Sequence, residues 1–400
     1  MAAEADAPTI LFGAFDRHNF GDLLFPHIAA ALLPDANPIY AGLAERDLRP
    51  FGGHRVQAIT KLVREMGDSP VRLVHAGGEL LTCDAWQAAV MLTPAEEVQH
   101  IICSHDDKPM ERLEWAQARL GMPDLAPYVH TRRLFPHAAS IVFNAVGGVD
   151  LDEREPALRA EVLSKLKAAD AVSVRDSRTL SQLENAGVGA RLTPDPAVMV
   201  AELFGEKILQ HGEGGEPAAT REAFPQGYLA VQFSADFGDD ATLAQLASQL
   251  DQAAVESGLG IVLFRAGAAP WHDDLSVHER LASRMHAAVR VFRSLHLWDI
   301  CALIAASRGF CGSSLHGRIV AAAFALPQLS LLPPDHSGKL TKQAAYAETW
   351  NGPCHPAMTS AGMMAEDIRS MLAADSAGMA AWAREMAARY RQAFDELLAR

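Results

Sequence analysis

Short apolar runs alternate with amphipathic stretches almost from end to end of this chain, and few architectures tolerate that alternation. Candidate strands are Thr9–Ala14, Val71–Ala76, His100–Cys103, Ser140–Val146, Ala171–Val174 and Arg191–Thr193. A second series follows at Tyr228–Phe233, Gly260–Arg265, Val289–Phe292, Gly309–Gly312 and Gln328–Leu332. Helical patterns lie between them, among them Asp22–Leu33, Ala157–Ala169, Ser177–Ala186, Ala241–Glu256, Leu275–Ala287, Leu297–Ala306 and Gly317–Leu326. Strands that read as unbroken apolar runs are buried on both faces, which in alternation with helices means an α/β protein with parallel sheets. The series breaks once, over 205–226, where Gly, Pro and Glu dominate and the spacing predicts a linker. The expected organisation is an N-terminal Rossmann-like domain over 1–204, a linker over 205–226, and a C-terminal Rossmann-like domain over 227–375. A final amphipathic helix over 376–400 carries Trp382, Met386, Tyr390, Phe394 and Leu397 at helical spacing, a stripe suited to core packing.

Open parallel sheets bind ligands beyond the carboxyl ends of their strands. The residues just past each predicted strand are polar or ionisable: Asp16, Arg17, His18 and Asn19, then His75, Asn144, Arg175, Asp176 and Asp195. In the second half they are Ser234, Arg265, Arg293 and the run Ser313-Ser314-Leu315-His316-Gly317-Arg318. That run joins a strand to a helix. Free N–H groups at a helix start attract anions, and here an imidazole and a guanidinium stand beside them. Asn19 and Asp22 can cap the first helix or line a ligand site. Gly77 and Gly78 allow close approach of either a ligand or a neighbouring helix. Arg175 can pair with Asp176 or clamp a carboxylate or phosphate bidentately, while Asp195, between two prolines, suits a turn. Trp271, Trp298, Trp350 and Tyr346 are candidates to stack on sugar rings, against the commoner role of buried aromatics.

Composition narrows the function. The net charge of −14 over 400 residues, without a basic stripe, excludes a nucleic-acid surface. An anionic ligand must then be held by a few placed arginines. Five cysteines without C-x-x-C spacing read as small buried hydrophobes. The start, Met-Ala-Ala-Glu-Ala-Asp, has no positive region of the secretory kind, and no apolar run reaches membrane-spanning length. The expectation is a cytoplasmic protein, with peripheral membrane contact and oligomeric state left open. The runs His105-Asp106-Asp107 and His272-Asp273-Asp274 lack a spaced histidine partner, so no metal is expected; Asp273 or Asp274 reads as a helix cap. No G-x-G-x-x-G lies near the first strand, and no G-x-S-x-G elbow occurs.

Five segments in order resemble the polysaccharide pyruvyl transferase family: Asn19-Phe20-Gly21-Asp22, Gly77-Gly78-Glu79-Leu80, Val174-Arg175-Asp176, Asp195-Pro196-Ala197 and Ser314-Leu315-His316-Gly317 before an alanine-rich helix and Leu326-Pro327. They span roughly residues 10–335. The resemblance implies a GT-B arrangement, two Rossmann-like domains facing across a cleft with the last helix packing back over them. It also implies a transferase of bacterial exopolysaccharide synthesis, in which phosphoenolpyruvate is the donor and a carbohydrate hydroxyl pair the acceptor, with no further cofactor. His316 matches the family's catalytic histidine, and Arg175 an arginine of the first domain. Where the family has an arginine before Leu-His, this chain has Ser314, so Arg318, Arg293 or Arg265 is expected to supply that charge. His316 and Arg175 are thus the expected catalytic groups. Asn19, Asp22, Gly77, Gly78, Arg265, Arg293, Ser313, Ser314 and Arg318 are the expected substrate contacts. Two other readings stay open: a GT-B glycosyltransferase or epimerase acting on a nucleotide-sugar, and a sugar- or anion-binding protein without catalysis.

Overall fold

The apolar run Thr9–Phe12 forms β1, buried along its whole length, and a parallel sheet grows from both of its sides. The computed structural model describes residues 7–34, 37–105, 108–334, 340–350 and 352–399; Asp106 and Asp107 lie outside them. The strands that follow are β2 (Ile39–Gly42), β3 (Arg46–Asp47), β4 (Arg55–Ala58), β5 (Arg72–His75), β6 (Ser140–Val146), β7 (Ala171–Val174) and β8 (Arg191–Leu192). Their order is β3-β4-β2-β1-β5-β6-β7-β8, parallel except for the β3–β4 pair at one edge. The second sheet holds β9 (Tyr228–Gln232), β10 (Gly260–Leu263), β11 (Val289–Val291), β12 (Gly309–Gly312), β13 (Gln328–Leu331) and β14 (Met358–Thr359). It is wholly parallel, in the order β11-β10-β9-β12-β13-β14. Each sheet has its own apolar core, one around Phe12, Leu73, Ile141 and Val174, the other around Leu229, Val231, Leu263 and Leu329.

The chain divides into a unit of Met1–Pro196 with Arg389–Arg400 and a unit of Ala197–Ala388. The break falls just after Asp195, earlier than expected, because the predicted linker is not one. Residues Val200–Gly212 and Gly215–Ala223 are helices of the second unit. Val200, Ile208 and Gly212 are buried there. Pro217 falls in the first turn of its helix, where a missing N–H breaks no bond. A second correction concerns His100–Cys103. It lies inside the helix Ala95–His105, which buries no residue fully, so two adjacent isoleucines there mark a half-covered helix face rather than a strand.

The final helix, Ser376–Leu398, supplies Tyr390 to the first unit, where its hydroxyl accepts a 2.8 Å hydrogen bond from the buried Asn144 amide. Asn144 belongs to an irregular stretch of β6. There Ala145 is left-handed (φ 50°) and its N–H donates to the Ser173 hydroxyl at 2.8 Å. In the second unit Gln232, the last residue of β9, pairs with Gly312 of β12. A Cβ on Gly312 would collide with the Gln232 carbonyl oxygen and the Phe310 ring. Gly312→Ala is expected to destabilise the protein by about 1–3 kcal/mol in urea unfolding, as overpacked sites do.

Candidate functional site

Polar groups collect at the carboxyl ends of both sheets, but with opposite electrostatic outcomes. In the first unit Arg175, beyond β7, is 2% exposed and is held from both sides. Its Nη1 donates to Asp195 Oδ2 at 2.9 Å and its Nη2 to Glu79 Oε2 at 2.7 Å. Burial disfavours the guanidinium's charge, yet the Glu79 and Asp195 carboxylates outweigh that and raise its pKa above the usual arginine range. Gly147 lies directly beneath: a Cβ there would run into the Glu79 carboxylate and the Arg175 guanidinium. The pairing with Asp176 is not the one formed, since Asp176 caps the helix Ser177–Asn185 through the Thr179 N–H and hydroxyl. Arg175, expected to clamp a substrate anion, is thus engaged by internal carboxylates, with Asp195 fully buried against it.

The other first-unit candidates are equally occupied. Asn19 Oδ1 accepts from the Gly21 N–H at 3.0 Å and the Asp22 N–H at 3.4 Å, capping the helix Phe20–Leu32. Asp22 is buried in that helix's first turn, against Gly78. Gly77 and Gly78 have φ of 111° and 95°, and both pack on the Phe25 ring, so close helix packing accounts for them. Asp16 and Arg17, past the first strand, form a cluster with Tyr128, a partner the sequence did not suggest. Asp16 is buried and accepts from the N–H groups of Leu43 and Ala44 at 2.6 and 3.2 Å and from the Tyr128 hydroxyl at 3.0 Å. Arg17 donates to the same hydroxyl at 2.6 Å. Burial raises the Asp16 pKa against the pull of Arg17.

The second unit carries cations that are not neutralised. Ser314 Oγ accepts from the Gly317 N–H at 3.1 Å and caps the helix Leu315–Ala323. That gives the serine at the family's arginine position a definite job. His316 lies in the first turn and is 9% exposed. Arg318, one position past Gly317, is 4% exposed and reaches only neutral acceptors, the Ser330 hydroxyl at 3.2 Å and the Ala357 carbonyl at 2.9 Å. Among the described residues no carboxylate pairs with it, and burial pushes its pKa down to about 10, still charged at neutral pH. Arg265, half-buried beyond β10, likewise has no ion pair among the described residues. Arg293 differs: its guanidinium is exposed and paired with Glu279 at 2.6 Å, so it is a surface ion pair rather than an anion grip.

Around these residues β9, β10 and β12 are laced together at their ends. Ser313 Oγ accepts from the Ser234 N–H at 3.0 Å, and the Ser313 carbonyl accepts from the Gln343 amide. Gln232 Nε2 donates to both oxygens of Asp273 at 2.9 Å, and the Ala266 N–H donates to the same carboxyl at 2.5 Å. Burial pushes the Asp273 carboxyl up to about 7, against these hydrogen bonds and the charge of Arg265. Asp274 is the helix cap; Asp273 is instead a staple for the loop after β10, a role its sequence context concealed. Two residues earlier in that loop, Trp271 is 52% exposed with φ 64°. Trp298 and Tyr346 are buried.

Comparison with known proteins converges on these segments. The family model described as polysaccharide pyruvyl transferase matches residues 111–333, more than half of the chain, and takes in Arg175, Asp195, Arg265, Asp273, His316 and Arg318. The chain belongs to the polysaccharide pyruvyl transferase family. A curated relative, the tetraacyldisaccharide 4'-kinase of Bradyrhizobium diazoefficiens, is 30% identical over 188 residues, covering 40% of this chain and 53% of the relative. The chain thus spans about half that relative's length. Among solved structures, the UDP-N-acetylglucosamine 2-epimerase of Rickettsia bellii is similar at a TM-score of 0.53 and 12% identity, over 98% of this chain and 96% of the other. A UDP-forming trehalose-phosphate synthase of Burkholderia xenovorans gives 0.52 and 11%, over 98% and 99%. At such identities these two establish the fold alone, a pair of parallel α/β sheets of the GT-B kind shared with the pyruvyl transferase family. Among the described residues no helix is long and apolar enough to cross a membrane.

Two outcomes test this description. Arg175→Ala leaves Asp195 buried without its partner and is expected to cost about 3–5 kcal/mol in equilibrium unfolding; a fully stable variant would return Arg175 to the list of free anion grips. Asp273 binds its proton more tightly folded than unfolded, so it adds stability as pH falls. Relative to Asp273→Asn, the wild-type chain should gain stability below about pH 7 and level off near about pH 4.

Proposed function

We propose that this chain transfers the pyruvyl group of phosphoenolpyruvate to two hydroxyls of a carbohydrate, closing a ketal and releasing phosphate. The observation that carries the reading is the segment Ser314–Arg318. It couples a proton carrier in a helix's first turn with a buried guanidinium that has no carboxylate partner among the described residues, inside the stretch the family model matches.

The chemistry asks for one proton donor and a positive field. Protonated His316 gives a proton to the methylene carbon of phosphoenolpyruvate, and the central carbon gains oxocarbenium character. One sugar hydroxyl adds to that carbon and passes its proton back to the His316 imidazole, and phosphate then leaves with the C–O bonding pair. The second hydroxyl adds and gives its proton to the departing phosphate, so His316 ends protonated as it began. An imidazole is the side chain suited to pass a proton in both directions at neutral pH. Arg265 grips the donor's anionic groups from the end of β10. Arg318 adds a fixed charge beneath the helix start, whose N–H groups favour the same sign of ligand. Trp271 offers an exposed ring face for the acceptor sugar, on the loop that Asp273 holds.

His316→Ala is expected to lower phosphate release from phosphoenolpyruvate, measured with an acceptor panel, by about 10²–10⁴-fold. Unchanged turnover would remove His316 from the mechanism. Calorimetry separates the nucleotide-sugar reading: tight binding of a UDP-sugar with no response to phosphoenolpyruvate would displace the ketal reaction.

A further inference from the structure

The second unit contains a cluster that the proposed reaction does not use. His211 ends the helix Val200–Gly212, His296 is the cap residue of the helix Leu297–Ala305, and Asp299 lies in that helix's first turn. One ligand atom from each of the three lies within 4.8 Å of the others. His211 Nδ1 is 2.9 Å and His296 Nδ1 3.9 Å from the same oxygen, Asp299 Oδ1. The two imidazoles lie nearly parallel, with centroids 4.9 Å apart and planes at 18°. All three side chains are partly exposed, so an ion has access from solvent.

We propose that His211, His296 and Asp299 form a binding site for a divalent transition-metal ion of the zinc class, with solvent completing the coordination. Two imidazoles and one carboxylate are the donor set such ions prefer, whereas calcium and magnesium need more oxygen ligands than the cluster supplies. Around a tetrahedral ion with bonds of about 2.0–2.1 Å the ligand atoms stand about 3.4 Å apart. The separations of 2.9 and 3.9 Å from Asp299 Oδ1 to the two imidazole nitrogens bracket that value.

The surroundings fix the ligands as an outer shell would. The Ser294 hydroxyl donates to Asp299 Oδ2 at 2.7 Å, holding one oxygen and leaving Oδ1 toward the imidazoles. The His296 N–H donates back to Ser294 Oγ at 3.2 Å. Glu216 accepts from the N–H groups of Arg293 and Ser294 at 2.8 and 2.7 Å, which ties the loop before His296 to the helix Gly215–Ala223. The Lys207 ammonium lies over the Trp298 ring, 4.2 Å from its centroid, and among the described residues Lys207 makes no ion pair. A bound ion would replace the His211–Asp299 hydrogen bond with bonds from both residues to the metal. It would thereby clamp the end of one helix to the start of another.

The test uses the whole chain, stripped with chelator, then titrated with zinc calorimetrically and with cobalt(II) by visible absorption. The expected result is one ion per chain, a cobalt spectrum without thiolate charge transfer, and a rise in melting temperature on loading. Affinity should fall by about tenfold or more in His296→Gln and in Asp299→Asn. Both variants keep a hydrogen-bonding side chain, and their metal-free melting curves check that they fold. Cys103→Ser, which removes the exposed thiol, should bind as wild type. Equal zinc affinity in the wild type and both variants, loss of binding in Cys103→Ser, or no binding by the wild type at millimolar zinc would each overturn the site. Phosphoenolpyruvate turnover does not enter these readouts, so the metal site and the ketal reaction stand or fall separately.

Discussion

A parallel strand buried on both faces has no room along its length for an unpaired polar side chain. Its polar neighbours are pushed past its carboxyl end, where the backbone turns toward the next helix. Both sheets obey this constraint, and it determines which residues can do chemistry. In the second sheet β9, β10 and β12 are apolar throughout except Gln232, the last residue of β9. Even Gln232 is spent on the Asp273 carboxyl that holds the loop after β10. Arg265 and Trp271, on the loop after β10, and His316, in the first turn of the helix Leu315–Ala323, lie beyond these strand ends.

Two buried arginines show how the same side chain is made structural in one place and available in another. Arg175 has a carboxylate on each side, and its charge is neutralised inside the fold. Removing either partner would leave an ion in low dielectric, which is why the trio behaves as a unit. Arg318 is nearly as buried but rests on a hydroxyl and a carbonyl, which solvate its charge without cancelling it. A guanidinium kept charged in such surroundings carries a standing cost. An incoming anion relieves that cost, so binding and fold draw on the same electrostatics.

The α/β class and most strands were legible because period and length are local properties. So was the strand–helix junction that carries His316, whose flanking residues are local too. The partners of Arg175 were not, for the opposite reason. Glu79 is 96 residues away and Asp195 20 residues away, and nothing in Val-Arg-Asp-Ser announces them. Asp273 was hidden by Asp274, since two adjacent aspartates before a helix both look like caps and only one can be. The segment 205–226 was read from its glycines and glutamates, although Val200 and Ile208 bury on a helical face that composition averages away. His211 and His296 escaped for want of any short spacing. They meet only because the two helices that carry them pack together.

The acidity of the chain sharpens what such a site has to do. With a formal charge of −14, the long-range field repels an anionic donor of the kind proposed, and screening at physiological ionic strength confines that repulsion to within about 8 Å of the surface. Beyond that distance the donor diffuses freely; inside it, only nearby groups matter. Arg265, Arg318 and the N–H groups of the helix Leu315–Ala323 are short-range positive features in a negative molecule. Because Arg318 is buried, salt screens its share of the grip far less than it screens the surface charge. Raising ionic strength therefore weakens the repulsion more than it weakens the grip. A buried cation beside an acidic surface would thus favour a small anion that enters the site over a polyanion that would have to lie across the exterior.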